Sequence, residues 1–283
     1  MVARFSREEV CSRLREQLEQ EKAILFVGVG SGISAKFSEV GGADLIAVYP
    51  IAKYRMAGLS SSIGYLPICD SNQVTLDMGR SEIIPIIKHT PVIGGVLAND
   101  PTREMDYYLD QVIAVGFSGV LNCPTYGLSD GGLRDNLEAA GLGYDKEVEM
   151  IRLAHQKGLF TQAFVADTDQ MRKMVEANCD MVIAHMGKTS GGTTGAKVPT
   201  SLDDVVIRVQ EICGEAKRMR PEVFTLCHGG ELDSPENVRR VLQRISDLDG
   251  YMGGSTAERL PVEESIKAAI AAYKELHISG ARR

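Results

Sequence analysis

The strongest constraint on the fold is a rhythm in which eight short apolar runs alternate with longer segments of helical period. The runs occupy residues 24–29, 44–49, 92–98, 119–123, 160–165, 181–185, 223–227 and 250–253. Each run is bounded by Gly, Asp or Pro and lacks the alternation of a half-exposed strand, so we expect strands buried on both faces. Eight such strands alternating with helices predict an α/β protein with a parallel (β/α)8 TIM barrel.

The whole chain, residues 1–283, is expected to form one domain, because no linker or shift in composition interrupts the rhythm. An extra N-terminal helix is predicted at about 7–21 and the barrel at about 24–276. The alternative is a two-domain, doubly wound protein. That fold would need a Gly-rich dinucleotide fingerprint after the first strand, and the glycines of residues 28–32 lack its spacing. Asp100 followed by Pro101 predicts a helix start.

Charge and composition exclude several classes of partner. The chain has 31 Lys and Arg against 38 Asp and Glu, a net charge of -7 that disfavours nucleic acid. No apolar run approaches the roughly 20 residues that span a bilayer, and no signal peptide is evident, so we expect a cytoplasmic protein without a membrane partner. The six cysteines form no C-x-x-C pair, which argues against a zinc site or a disulfide framework.

Two histidines are the predicted catalytic residues. In barrels of this kind the active site lies at the C-terminal ends of the strands, and His185 and His228 stand at the ends of strands 6 and 7. Their ordinary pKa lies near neutrality, which suits acid/base catalysis. A single histidine is more often structural, but two at neighbouring strand ends favour catalysis.

The same strand ends carry candidates for binding an anionic substrate, through backbone amides or cationic side chains. They are Gly30, Gly32 and Lys36 after strand 1, Lys53 and Arg55 in a long loop at 51–69, Gly229, Gly230 and Glu231 after strand 7, and Gly254 and Ser255 after strand 8. The alternatives are glycines that serve turn geometry and cations that are merely solvated. A Gly/Thr stretch at 188–197 suits a mobile lid, or is disordered without a role.

Nine motifs spread over the chain resemble the phosphoenolpyruvate hydrolase-like family of TIM-barrel proteins, also called TIM-barrel signal transduction proteins. They are GSGISAK (30–36), GGADLI (41–46), YRMAG (54–58), KHTPV (88–92), GFSGV (116–120), EMIRLAH (149–155), AHMG (184–187), LCHGG (226–230) and ERLP (258–261). The resemblance implies a barrel related to the phosphoenolpyruvate mutase and isocitrate lyase superfamily, whose members act on small 2-oxo acids with Mg2+.

The cofactor implied by this resemblance has no obvious ligands in the sequence. The paired Asp-x-Asp motif of that superfamily is missing at strand 3, where the chain reads GGVLAND (94–100). A segment of the Glu-Asp-Lys type is missing at strand 4, where the chain reads LNCPT (121–125). Mg2+ is therefore possible by resemblance, no cofactor is certain, and the metal ligands stay unknown.

The sequence thus predicts an enzyme with hydrolase or lyase chemistry on a small phosphorylated or 2-oxo carboxylic acid of the phosphoenolpyruvate or phosphonopyruvate type. The alternative is a noncatalytic, ligand-sensing signal transduction barrel. The superfamily resemblance, together with a final helix that is unusually apolar for a surface element, implies a homo-oligomer with the last helices at the interface. The apolar residues of that final helix are Ile266, Ala268, Ala269, Ile270, Ala271 and Ala272.

Overall fold

A computed structural model describes residues 5–194 and 201–277 and shows a closed barrel of eight parallel strands in sequence order. The strands are β1 Ile24–Val29, β2 Leu45–Val48, β3 Val92–Gly95, β4 Gly119–Leu121, β5 Phe160–Val165, β6 Met181–His185, β7 Phe224–His228 and β8 Gly250–Gly253. The barrel closes where β1 pairs with β8, with Phe26 opposite Met252. The predicted (β/α)8 barrel is confirmed.

Helices follow the strands along the described chain. They are α1 Arg7–Glu19, α2 Gly32–Val40, α3 Pro50–Met56, α4 Ser71–Met78, α5 Met105–Val115, α6 Gly131–Ala139, α7 Asp145–Gln156, α8 Thr168–Glu176, α9 Leu202–Met219, α10 Pro235–Leu242 and α11 Arg259–Lys274. Side chains cap several N-termini, including Ser6 on α1 in a capping box and Asp167 on α8. None of the helices in residues 5–194 and 201–277 is long and apolar enough to cross a membrane.

Apolar side chains form two clusters, one inside the barrel and one between the strands and the helices. Helix α1 closes the N-terminal end of the barrel, where its Val10 and Leu14 join the inner cluster. Arg7 fastens this helix through an ion pair of 2.7 Å with Asp180 at the start of β6. With its lower end filled, the barrel is open to ligands only at the opposite end, where the strands finish.

Two local expectations differ from the structure. The segment 51–69 is not an open loop, because Pro50 starts α3 and a 3-10 helix follows at Ser61–Tyr65. The predicted helix start at Asp100 is wrong: α5 begins at Met105, and the Asp100 carboxylate instead binds Thr102, Arg103 and Asn72. A polar side chain that suits a cap can therefore be used in a loop when cationic and amide partners lie closer. The last part of the predicted lid, 195–197, lies outside the described residues.

Candidate active site

A small pocket lies at the C-terminal ends of the strands, where the barrel prediction places the chemistry. Its volume of about 90 Å³ provides roughly six to nine water-sized positions, enough for a small acid and too few for a nucleotide. The pocket is lined by Tyr49, Ile51, Arg55, Ser61, Ser62, Tyr65, Cys123, Phe164, His185, Gly187, Lys188, Thr189, His228, Gly254 and Ser255.

His185 ends β6 and is held by the backbone that follows it. The amide N–H of Gly187 donates to His185 Nδ1 at 3.0 Å. Since Nδ1 accepts this bond, the neutral ring carries its proton on Nε2. His185 therefore offers a hydrogen-bond donor at Nε2.

His228 ends β7 and is held in the opposite way. Its Nδ1 lies 2.8 Å from the carbonyl oxygen of Met252 in β8. A carbonyl oxygen only accepts, so Nδ1 carries the proton and Nε2 of the neutral ring has a free lone pair. His228 therefore offers an acceptor, and thus a base, at Nε2. The two ring centroids are 4.8 Å apart, and Phe164 packs on both rings.

Burial keeps both imidazoles neutral. It lowers the pKa of His228 from 6.5 to about 4, with a smaller contribution from Arg55. The pKa of His185 falls well below its ordinary value, again through burial and then through the neighbouring His228. The pocket thus presents a neutral donor and a neutral acceptor side by side at pH 7.

A buried ion pair forms one wall of the site. Arg55 on α3 donates from Nε at 3.1 Å and from Nη2 at 2.5 Å to Glu258 Oε2, and from Nη2 to the carbonyl oxygen of Gly28. The other carboxylate oxygen of Glu258 accepts from the amide N–H of Gly30 at 2.6 Å and from the hydroxyl of Ser34. One carboxylate therefore ties together the segments that follow β1, β2 and β8.

The α-carbon of Gly254 marks the point where the polar groups meet. A β-carbon placed there would lie 3.2 Å from Arg55 Nη1, 3.5 Å from His228 Cε1 and 3.6 Å from the Tyr49 hydroxyl oxygen. Across the mouth, Lys188 reaches Ser60 Oγ at 2.8 Å. An oxyanion above Gly254 would meet a guanidinium, a phenol and an imidazole at once.

Of the residues predicted from the sequence, the structure brings His185, His228, Arg55, Gly254 and Ser255 together around the pocket. The others do not line it. Lys36 is exposed on α2, and Lys53 pairs with Glu82 on the surface.

The remaining predicted residues have local structural roles. The amides of Gly30 and Gly230 are already used, because they donate to Glu258 and to the Gly187 carbonyl oxygen. Gly229 has φ of +83° and Gly32 lies in the first turn of α2. Glu231 accepts from the Ser190 hydroxyl and joins the loops after β6 and β7. Turn geometry and loop contacts thus account for these positions.

Sequence reasoning missed several groups of the site. Tyr49 directly follows β2 and Phe164 lies on the inward face of β5, so the strand-end rule and the two-residue period could have found them. Glu258 opens the ERLP motif (258–261) that carries part of the family resemblance, but no role at the site was predicted for it. Outside the pocket lining, sequence reasoning also missed Glu147, which is fully buried on α7 and is bound by Asn122, Thr125 and the Tyr126 amide. Burial raises the pKa of Glu147 to about 7.

The described residues do not fit a resident Mg2+ ion. No Asp or Glu lines the pocket, and no group of three His, Cys, Asp or Glu side chains within the described ranges could hold a metal. Mg2+ prefers carboxylate oxygens in octahedral geometry, and this pocket offers imidazoles, hydroxyls and cations.

Comparison with known proteins gives several relatives, two of which are 45% identical to this chain over 267 residues. The ToMV susceptible protein tm-1(GCR26) of Solanum lycopersicum is 45% identical over 267 residues, which cover 94% of this chain and 35% of that protein. The chain thus spans about a third of the length of this relative.

Solved structures of similar shape include a phosphonopyruvate hydrolase in complex with oxalate and Mg2+, with a TM-score of 0.62 and 14% identity over 94% of this chain and 87% of that chain. A 2,3-dimethylmalate lyase of the PEP mutase/isocitrate lyase superfamily has a TM-score of 0.59 and 16% identity, over 97% of this chain and 86% of that chain. At these identities the likeness shows the fold alone. The sequence profile of one family matches residues 9–276, and the chain therefore belongs to the phosphoenolpyruvate hydrolase-like family.

Proposed function

We propose that this chain is an enzyme acting on a small phosphorylated or 2-oxo carboxylic acid, with hydrolase or lyase chemistry. The observation that carries the proposal is the pair of neutral histidines with opposite tautomers, which face one small pocket beside a buried arginine. Proton transfer at a substrate requires one group that donates and one that accepts a proton, whereas a structural histidine pair has no such requirement.

Substrate binding follows from the charges and the size of the pocket. Arg55 and Lys188 are the cationic side chains of its lining, and the Gly254 backbone leaves space between Arg55 and His228. A carboxylate or phosphate in that space would form charge-assisted hydrogen bonds with the guanidinium. The volume restricts the remainder of the molecule to a few non-hydrogen atoms.

The chemistry can be written for hydrolysis of phosphoenolpyruvate. His228 Nε2 takes a proton from a water molecule, whose oxygen forms a bond to phosphorus while the bond from phosphorus to the enol oxygen breaks. His185 Nε2–H donates a hydrogen bond to the developing enolate without giving up its proton. The proton held by His228 then goes to the methylene carbon, so that pyruvate and phosphate leave and both rings are neutral again.

Mg2+ would come to this function from the similar phosphonopyruvate hydrolase, whose structure contains it. The residues of this pocket do not fit a protein-held ion, so no step above uses one. Measuring turnover with EDTA and then with added Mg2+ tests this assignment directly, because a metal-dependent rate would contradict it.

The deciding experiment is an assay of phosphoenolpyruvate, phosphonopyruvate and oxaloacetate turnover with the wild type and with His228→Asn. The Asn amide can still donate to the Met252 carbonyl oxygen but provides no base at the position of Nε2. We expect kcat to fall by about 10²–10⁴-fold while the protein stays folded. His89→Gln, at an exposed histidine away from the pocket, is the matched control and should leave kcat unchanged.

The ligand-sensing alternative uses the same pocket and predicts a different outcome. The same acids would bind and raise the melting temperature, but none would be consumed, and His228→Asn would change affinity only. Because the name of the tomato relative describes no enzyme, the same experiment also tests this alternative.

A further inference from the structure

A buried carboxylate outside the pocket binds the segment that follows β4. Glu147 on α7 has no exposed surface, and its Oε2 accepts from Asn122 Nδ2 at 2.6 Å and from the Thr125 hydroxyl at 2.8 Å. Its Oε1 accepts from the Tyr126 amide N–H at 2.8 Å. Burying a carboxylate is costly unless its oxygens are hydrogen-bonded, and here three donors converge on one. The position of residues 122–126 is therefore coupled to Glu147.

Asn122 extends this connection to β5. The backbone pairing of β4 with β5 ends at Leu121, where the chain turns and the Cys123 N–H donates to the Leu121 carbonyl oxygen at 2.7 Å. Beyond that point the Asn122 side chain replaces the strand. It accepts from the Phe164 N–H at 2.6 Å and donates to the Phe164 carbonyl oxygen at 3.1 Å. A side-chain amide therefore fixes the end of β5.

Phe164 is the side chain that packs on both histidines of the pocket. Its ring centroid lies 4.7 Å from that of His185 and 5.2 Å from that of His228. Because the three rings are in contact, a displacement of Phe164 changes the place of both imidazoles.

We propose that Glu147 is a positioning residue of the active site, which acts through Asn122 and Phe164 to hold the two histidines in place. The consequence for turnover rests on the proposed function. The consequence for the histidine rings does not, and it can be measured without a substrate.

The charge of Glu147 controls this positioning, since three donors suit a carboxylate and an added O–H would disturb them. Burial raises the pKa of Glu147 to about 7 against these hydrogen bonds, and the nearby Glu138 raises it further. Tyr65, Cys123 and Tyr144 also interact with the carboxylate. Burial raises the pKa of all three, so they stay neutral from about pH 5.5 to about 8.5.

The first test is nitrogen NMR of the histidine rings in the whole chain over that pH range. In the wild type the ring shifts of His185 and His228 should show an inflection near pH 7, although the pKa of each ring lies well below that value. Glu147→Gln should remove the inflection. Thr125→Val keeps the shape of the side chain and removes one donor, so the inflection should move to higher pH.

The matched control is Glu39→Gln. The Glu39 carboxylate also accepts three backbone N–H bonds, from residues 88–90 just before β3, at the end of the barrel away from the pocket. This variant should keep the inflection of the wild type.

The second test is turnover of whichever acid the wild type consumes. At about pH 8.5, Glu147→Gln should lower kcat about 10–100-fold and change KM less than about threefold, because the anion contacts Arg55 and Gly254 belong to other segments. As the pH falls, kcat of the wild type should approach that of the variant, because a protonated Glu147 and Gln both lack the charge.

The outcomes separate this proposal from the proposed function. Wild-type ring shifts that are flat near pH 7, or an inflection that survives in Glu147→Gln, would overturn the positioning role whether or not an acid is consumed. A kcat ratio independent of pH would also overturn it, since lost packing alone gives that result. If Glu147→Gln does not fold, an inflection that stays in place in Thr125→Val is the contradicting result.

Discussion

Replacing Glu258 by Gln is expected to be strongly destabilising, although it removes no non-hydrogen atom. The carboxylate accepts two N–H bonds from Arg55, and the two side chains are only 1% and 3% exposed. Gln keeps an oxygen for the Gly30 amide but loses the charge, so the guanidinium stays buried without a counterion. Breaking one partner of a buried ion pair costs about 3–5 kcal/mol.

The melting temperature provides the measurement. An unfolding entropy of roughly 2.1 cal/mol/K per residue gives about 0.6 kcal/mol/K for 283 residues, so that cost corresponds to a decrease of about 5–8 °C. Glu82→Gln is the matched control, because Glu82 pairs at 2.9 Å with Lys53, also on α3, but the two side chains are 37% and 43% exposed. An exposed pair contributes about 0–1 kcal/mol, or less than about 2 °C.

A double variant completes the test. Arg55→Met with Glu258→Leu removes both charges together, and apolar replacement of a buried pair is often close to neutral. It should therefore melt above Glu258→Gln. If Glu258→Gln melts within about 2 °C of the wild type, as Glu82→Gln should, the reasoning from burial and pairing is refuted.

Three further results follow from the site. Oxalate should bind more tightly as the pH falls from about 6.5 toward 4, because a bound anion favours protonation of His228, and burial lowers the pKa of that residue to about 4. Calorimetry that shows a Kd independent of pH would contradict this. As the pH rises from 4.5 to about 7, the free energy of unfolding of the wild type should fall by about 3 kcal/mol relative to that of Glu147→Gln, because Glu147 keeps its proton in the folded state and has released it in the unfolded state. Urea denaturation that gives the same pH dependence for both proteins would rule this out. With EDTA present, phosphate at a hundredfold excess over Kd should raise the melting temperature of the wild type by several degrees. Gly254→Asp should lose that shift, whereas the control Gly132→Asp, at an open surface position, should keep it.

The barrel was predictable because its signal is repeated eight times. The bounds of β1, β5, β6 and β8 agree residue by residue with the apolar runs, because nearly every residue of these strands is buried and each run is clearly delimited along the chain. The segment after β2 was harder, because α3 has only seven residues and starts without a side-chain cap. Short elements of this kind are set by tertiary contacts more than by local sequence.

The candidate site was predictable where a residue's position along a strand decides its place. His185 and His228 meet because they end neighbouring strands that pair at those residues. Lys36 and Lys53 were expected beside them because both are cations in segments that follow a strand, but both lie on helices and extend toward solvent. The motif at 258–261 included Glu258, but its pairing with Arg55 and Gly30 could not be predicted, since those residues are more than 200 positions away along the chain and only the closed barrel brings them close.

Main-chain groups set the donor and acceptor roles of the two histidines, which affects how this site can change in evolution. The proton of each ring is placed by a backbone group, the Gly187 N–H for His185 and the Met252 carbonyl for His228, and not by another side chain. Any residue at 252 keeps the carbonyl group. At 187 only proline would delete the N–H, and the φ of +92° there favours glycine over other residues. Point mutations in the neighbourhood can therefore reshape the ligand space without exchanging donor and acceptor, and the order of the two histidines should persist while substrate preference drifts.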